Sequence, residues 1–216
     1  VYALNGAGTG TNYLLPDSLT GSTSTLVLTA DLASDSLALV AIYNTTNGAA
    51  WTNNTNWLTG PINTWQGITI TSNRVSSFIL GSNNITGNLP PVIGNLTALT
   101  NLQLWGNQIT GNIPPELGQI TSLTYLDLSP NQFTGVIPPE LGNLTQLTTL
   151  WINNNLLTGA IPPELGNLTS LSELYLMGNQ LTGNIPPDLG NLSSLTVLDA
   201  SGNQLSGTIP PELGSL

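Results

Sequence analysis

The 24 residues from Leu99 to Ser122 read LTNLQLWGNQITGNIPPELGQITS, and the phrase begins again at Leu123, Leu147, Leu171 and Leu195. An imperfect copy precedes them from Val75, and the last stops two residues short, at Leu216. No residue is inserted or lost between copies. A fixed period of roughly 20–50 residues marks a solenoid, in which a coil that cannot bury its apolar face alone buries it against the next. Leu99, Leu102, Leu104, Ile109, Ile113, Leu117 and Ile120 form the inward set of one copy. Each such aliphatic contributes about 1.5–3 kcal/mol on burial, before entropy is counted.

The pattern also assigns local structure. Leu102-Gln103-Leu104 reads as a short strand whose middle residue faces out. Successive copies then form a parallel sheet with about 4.8 Å between strands. The asparagine column Asn83, Asn107, Asn131, Asn155, Asn179 and Asn203 sits where each coil turns inward, and its amides are expected to satisfy buried backbone groups there. Thr-Gly pairs from Thr86 to Thr182, and Ser206-Gly207, mark the next bend. Doubled prolines from 90–91 to 210–211 fix φ and remove amide donors. They predict a convex side of short 3₁₀ or polyproline segments.

Ahead of the repeats lie two further segments. Residues 1–33 are rich in Gly, Thr and Ser and show no period, which suits a linker, the end of a preceding domain or an assembly strand; Ser24–Thr29 has strand character. Residues 34–74 read as a cap over the first coil, whose apolar face has no neighbour. Ser34 or Asp35 is the expected N-cap of a helix through Leu37, Val40, Ala41 and Tyr43, ended by Asn47-Gly48. Trp51, Trp57 and Trp65 follow as core residues, and Gly67–Thr71 alternates as a strand turned back by Ser72-Asn73-Arg74.

The cap segment DSLALVAIYNTTNGAAWTNNTNWLTGP, followed by TWQGITI and NRV, resembles the cap of plant-type leucine-rich repeat proteins. Receptor-kinase ectodomains and polygalacturonase inhibitors belong to that family. The resemblance runs from Asp35 to Leu216 and is stronger still to cysteine-free bacterial secreted members, since Ile70 stands where the plant cap carries a cysteine. It implies a right-handed leucine-rich repeat solenoid with a concave parallel sheet, a second small sheet at L-T-G-x-I-P, and a helix-plus-hairpin cap. It also implies an extracellular or cell-surface location.

Composition narrows the chemistry. The chain has no His, Cys or Lys, one cationic side chain (Arg74), eleven carboxylates and a net charge of −10. Nucleic acid is a poor partner, because phosphate binding draws on Lys and Arg. No apolar run approaches the roughly 20 residues that cross a bilayer, so membrane insertion is not expected. Without cysteine there are no disulfides, thiolate nucleophiles or zinc fingers. No cofactor, metal site or catalytic residue is expected, and the chain reads as a non-enzyme.

The outward strand positions differ between copies and carry the local information. Trp105, Tyr125, Trp151 and Tyr175 are expected on the concave face, beside Asp127, Glu173 and Asp199. Exposed aromatics next to acids suit a protein or glycan ligand; cross-strand packing that shields the sheet is the alternative. Glu173 and Asp199 form the best carboxylate pair, diagonal neighbours about 7–8 Å apart, but a solvated face gives neither a raised pKa. The acidic column Glu116, Glu140, Glu164, Asp188 and Glu212 lacks the Asp/Gly spacing of a calcium loop. The first expectation is therefore a non-catalytic interaction or adhesion module using its concave face. The second is a structural subunit joined head to tail to copies of itself through its ends, as an uncapped solenoid allows. Ice binding by the Thr ladder and hydrolase inhibition follow as lesser readings.

Overall fold

The inward leucines build the fold as the repeat dictates. The computed structural model describes residues 2–4, 11–13 and 30–215. Seven strands form the concave sheet: β1 (Ile68–Thr71), β2 (Arg74–Ile79), β3 (Asn101–Gln103), β4 (Tyr125–Asp127), β5 (Thr149–Trp151), β6 (Glu173–Tyr175) and β7 (Val197–Asp199). They lie in sequence order, β1 antiparallel to β2 and the rest parallel. The strands sit one residue earlier than the sequence suggests, but the facing is as expected: Leu102 is buried while Asn101 and Gln103 look out.

The Thr-Gly bends pair as a second, smaller set of parallel strands and bridges, such as Thr86–Asn88 with Gln108–Thr110. On the convex side each Pro-Pro leads into a five-residue 3₁₀ turn, as at Pro115–Gln119, with the second proline inside it. These turns stack so tightly that a Cβ on Gly118 or Gly142 would meet the backbone carbonyl of Glu140 or Glu164 in the next coil.

The asparagine column closes the inner turn of every coil. Asn107 Oδ1 accepts from the amides of Asn83 and Ile85, and its Nδ2 donates to the carbonyls of Leu80 and Leu104 at 2.9 Å. Asn131, Asn155, Asn179 and Asn203 repeat the pattern, each amide reaching a carbonyl one coil back. Each buried side chain thus satisfies backbone groups of two coils at once, groups that would otherwise be orphaned in an apolar interior.

The cap begins with α1, Ala30–Thr45, one turn earlier than the Ser34 or Asp35 start that the sequence suggests. Asp35 is no N-cap. It lies inside the helix, fully buried, because its carboxylate is needed elsewhere. Arg74 forks onto it through Nε at 2.9 Å and Nη2 at 3.0 Å, and the Val75 amide donates to it at 2.8 Å. Hydrogen bonding to Asp35 raises the Arg74 pKa against the opposing effect of burial. The three cap tryptophans are buried as expected, with Trp57 at the centre of a ring cluster formed with Trp51, Trp65, Tyr43 and Phe78. Each indole N–H finds a carbonyl, on Thr46, Gln66 and Gly60, at 2.9 Å. Near the N-terminus Tyr2–Leu4 pairs antiparallel with Thr11–Tyr13. The strand expected at Ser24–Thr29 lies outside the described residues.

Arg74→Met leaves the Asp35 carboxylate buried without a counter-charge. Removing one partner of a buried pair costs about 3–5 kcal/mol, and Arg74 is partly exposed, so a loss near the lower end is expected in urea unfolding. Asp35→Asn combined with Arg74→Met should recover much of it, because no unpaired charge then remains and the amide oxygen still accepts from Val75.

Candidate concave-face binding site

The strict period stacks outward residues of successive coils into columns. One column runs Gln103, Asp127, Trp151, Tyr175 and Asp199 in direct register. Another runs Asn101, Tyr125, Thr149, Glu173 and Val197. Aromatics on adjacent strands meet diagonally and directly. Tyr125 and Trp151 lie edge to face with centroids 5.7 Å apart, and Trp151 and Tyr175 follow at 5.5 Å and 87°. Such geometry sets the positive edge of one ring on the negative face of the next. The Trp151 indole also donates to Glu173 Oε2 at 3.1 Å, which fixes the ring's tilt.

These side chains wall a groove of about 550 Å³ on the concave face. Five of the seven residues expected there line it: Trp105, Tyr125, Asp127, Trp151 and Tyr175. Glu173 stands beside it, tied to Trp151. Asp199 falls outside the lining, on β7, the last strand of the sheet. Gln103, Ser129, Asn153 and Met177 complete the walls together with Pro130. Sequence reasoning passed over Pro130. The signal was the change from Gly-Asn to Pro-Asn in this one coil; Gly106, Gly178 and Gly202 hold the corresponding place at positive φ, which proline cannot adopt.

Two residues of these outward columns are buried. Thr149 is buried between its Tyr125 and Glu173 neighbours in register. Asp127 is not the solvated acid that its outward position suggests: only 4% of its surface is exposed. Trp151 lies beside it on β5 and Gln103 on β3, whereas Asp199 has an in-register neighbour on one side only, Tyr175. The two aspartates share the motif Asp-x-Ser and the same local bonds. Asp127 Oδ1 accepts from the Ser129 amide and hydroxyl at 2.9 Å. Asp199 Oδ1 accepts from the Ser201 amide at 2.9 Å and hydroxyl at 2.6 Å. Burial pushes the Asp127 pKa above the usual carboxylate range despite those bonds. In Asp199, less buried, the same bonds outweigh desolvation and hold the pKa below it. Burial, and then the charges of Asp127 and Glu173, also raise the Tyr125 pKa.

A solenoid of 24-residue coils with a concave aromatic groove defines the class, and the comparisons agree. A family model described as a leucine-rich repeat region matches residues 79–213. The chain belongs to the leucine-rich repeat family. Among solved structures, a plant ice-binding protein is 32% identical with a TM-score of 0.75, covering 83% of this chain and 59% of that one. The BIR3–SERK2 complex from Arabidopsis thaliana is matched at 30% identity and TM-score 0.69, over 82% of this chain and 97% of that one. The plant peptide hormone receptor RGFR1 in complex with RGF2 is 42% identical over 63% of this chain and 22% of the receptor, with a TM-score of 0.63. The chain therefore spans 59% of the ice-binding protein and less than a quarter of the hormone receptor. No curated protein matches the chain. Among the described residues no helix is long and apolar enough to cross a membrane.

The raised Asp127 pKa has a definite thermodynamic sign. The folded chain binds this proton more tightly than the unfolded chain, so stability falls as pH rises from the ordinary carboxylate range through the raised value, and the loss persists at neutral pH. Asp127→Asn keeps an oxygen for Ser129 and removes the charge. It should raise Tm at pH 7 by on the order of 2 °C and leave Tm near pH 4 almost unchanged; a calorimetric pH series reads both.

Proposed function

We propose that this chain is a non-catalytic, extracellular interaction module that holds an extended polypeptide on its concave face. The observation that carries the reading is the groove itself: a run of aromatic rings, locked edge to face, on the concave sheet. Rigid aromatics offer large contact area at small entropic cost, which is the composition of binding hot spots. The peptide-hormone and co-receptor complexes among the similar structures support a protein ligand over a glycan. Protein binding through this face gives Trp105, Tyr125, Trp151 and Tyr175 the anchoring role, with Asp127 between them and Glu173 and Asp199 at the margin.

Selection of a random dodecapeptide phage library against the folded chain tests this. Specific binders should emerge, and Trp151→Ala should weaken them by at least about tenfold, the loss of one hot-spot anchor. The rings flanking Trp151 keep their own strand positions, so the variant should retain its circular dichroism spectrum. An empty selection, or binders indifferent to Trp151→Ala, would overturn the reading.

One observation favours a second reading, ice binding. Thr110, Thr134, Thr158, Thr182 and Ser206 form an exposed series of hydroxyls across successive coils, each offset by two residues in register from the last, and the plant ice-binding protein shares this repeat architecture over 83% of the chain. Ice grown with micromolar protein should then develop facets, and Thr134→Tyr with Thr158→Tyr should abolish them. Unshaped ice rules this reading out.

A further inference from the structure

The groove holds a charge that no described residue pairs. Asp127 is buried, with 4% of its surface exposed, and both hydrogen bonds from Ser129 converge on Oδ1. No described residue donates to Oδ2. The single cationic side chain of the molecule, Arg74, is committed to Asp35 in the cap. A buried carboxylate is ordinarily paired or neutralised, and this one lines the groove together with Trp105, Tyr125 and Trp151. Aromatic faces attract cations through their quadrupole, most strongly where water is displaced. A buried carboxylate that shares a groove with aromatic rings is the chemistry of a cation subsite.

We infer that the groove takes a cationic side chain, arginine above lysine, from a basic extended segment of a protein partner, with Asp127 Oδ2 as its counter-charge. This rests on the peptide-binding reading above and names the chemistry of the ligand. Arginine fits better because its planar guanidinium stacks on an indole face while its edge donates to a carboxylate. Glu173, two strands from Asp127 and holding the Trp151 indole by its Oε2, adds a second negative charge at the groove's rim. The net charge of −10 draws a basic segment toward the chain before any contact forms. Because Asp127 and Trp151 pair in register on adjacent strands, a segment crossing the strands can lay one side chain over both while its neighbours lie toward Tyr175 and Met177.

The test separates this subsite from general acidity and from the broader reading. The peptides enriched by the dodecapeptide selection should carry Arg or Lys at one fixed position. A synthetic copy of the best binder should lose about tenfold or more in affinity to Asp127→Asn, the scale of one charge-assisted hydrogen bond. It should lose less than about twofold to Glu164→Gln, which removes the same charge from an exposed convex turn and reports the long-range term alone. Replacing the fixed basic residue of the peptide by citrulline, which keeps the shape of arginine without its charge, should match the Asp127→Asn loss, and the two changes together should cost little more than either. Enriched peptides without a basic position, or equal losses in the two protein variants, would overturn the cation subsite while leaving peptide binding in place. A selection that yields no peptide overturns both. Circular dichroism and Tm of Asp127→Asn, expected unchanged or higher, exclude unfolding as the cause of lost affinity.

Discussion

The asparagine ladder is the constraint on which the rest of the molecule depends. A chain that folds back on itself every 24 residues must bend its backbone inside an apolar core, and bent backbone there lacks ladder partners. One amide side chain per coil resolves this by accepting from one coil's N–H groups and donating to carbonyls of its own coil and the one before. Each coil's register is thereby tied to the last. The concave columns follow from that tie: Asp127 faces Trp151, and Trp151 faces Tyr175, because Asn131, Asn155 and Asn179 hold their coils in step.

Charge is used sparingly. One arginine serves a chain with eleven carboxylates, and it stands where helix, hairpin and first coil converge. Its Nη2 also reaches Thr97, on the coil after the hairpin. The contrast between Asp127 and Asp199 isolates what burial alone does. Motif, oxygen and donors are the same; the presence of a further strand on one side changes the direction of the pKa shift.

Much of this was legible in the sequence because a repeat states its own averages. Period, inward set, asparagine role and Pro-Pro turns each recur in several copies, so the hydrophobic pattern needs no single residue to be read correctly. The buried tryptophans of the cap were legible because a terminal coil requires a cover. What escaped was everything set by one neighbour. The start of α1 escaped because Asp35 looks like a cap residue and is in fact the partner of Arg74, 39 residues away. The burial of Asp127 escaped because alternation gives the side of the sheet but not the height of the residue next door. Pro130 escaped because it replaces a glycine in a turn where backbone shape, not side chain, is the usual concern.

The stacked convex turns have a consequence for how such a chain can change length. A glycine in each turn lies against the carbonyl of the following coil, and an asparagine in each coil reaches one coil back, so every interface presents the same two halves. Excising one whole repeat would bring together halves that already match, and the cut would heal without a seam. The same cut made anywhere within Leu123–Ser170 would erase the groove, since its walls come from four successive strands. Fold and recognition therefore obey different rules of inheritance: the first survives the loss of any interior unit, while the second exists only in one order of units.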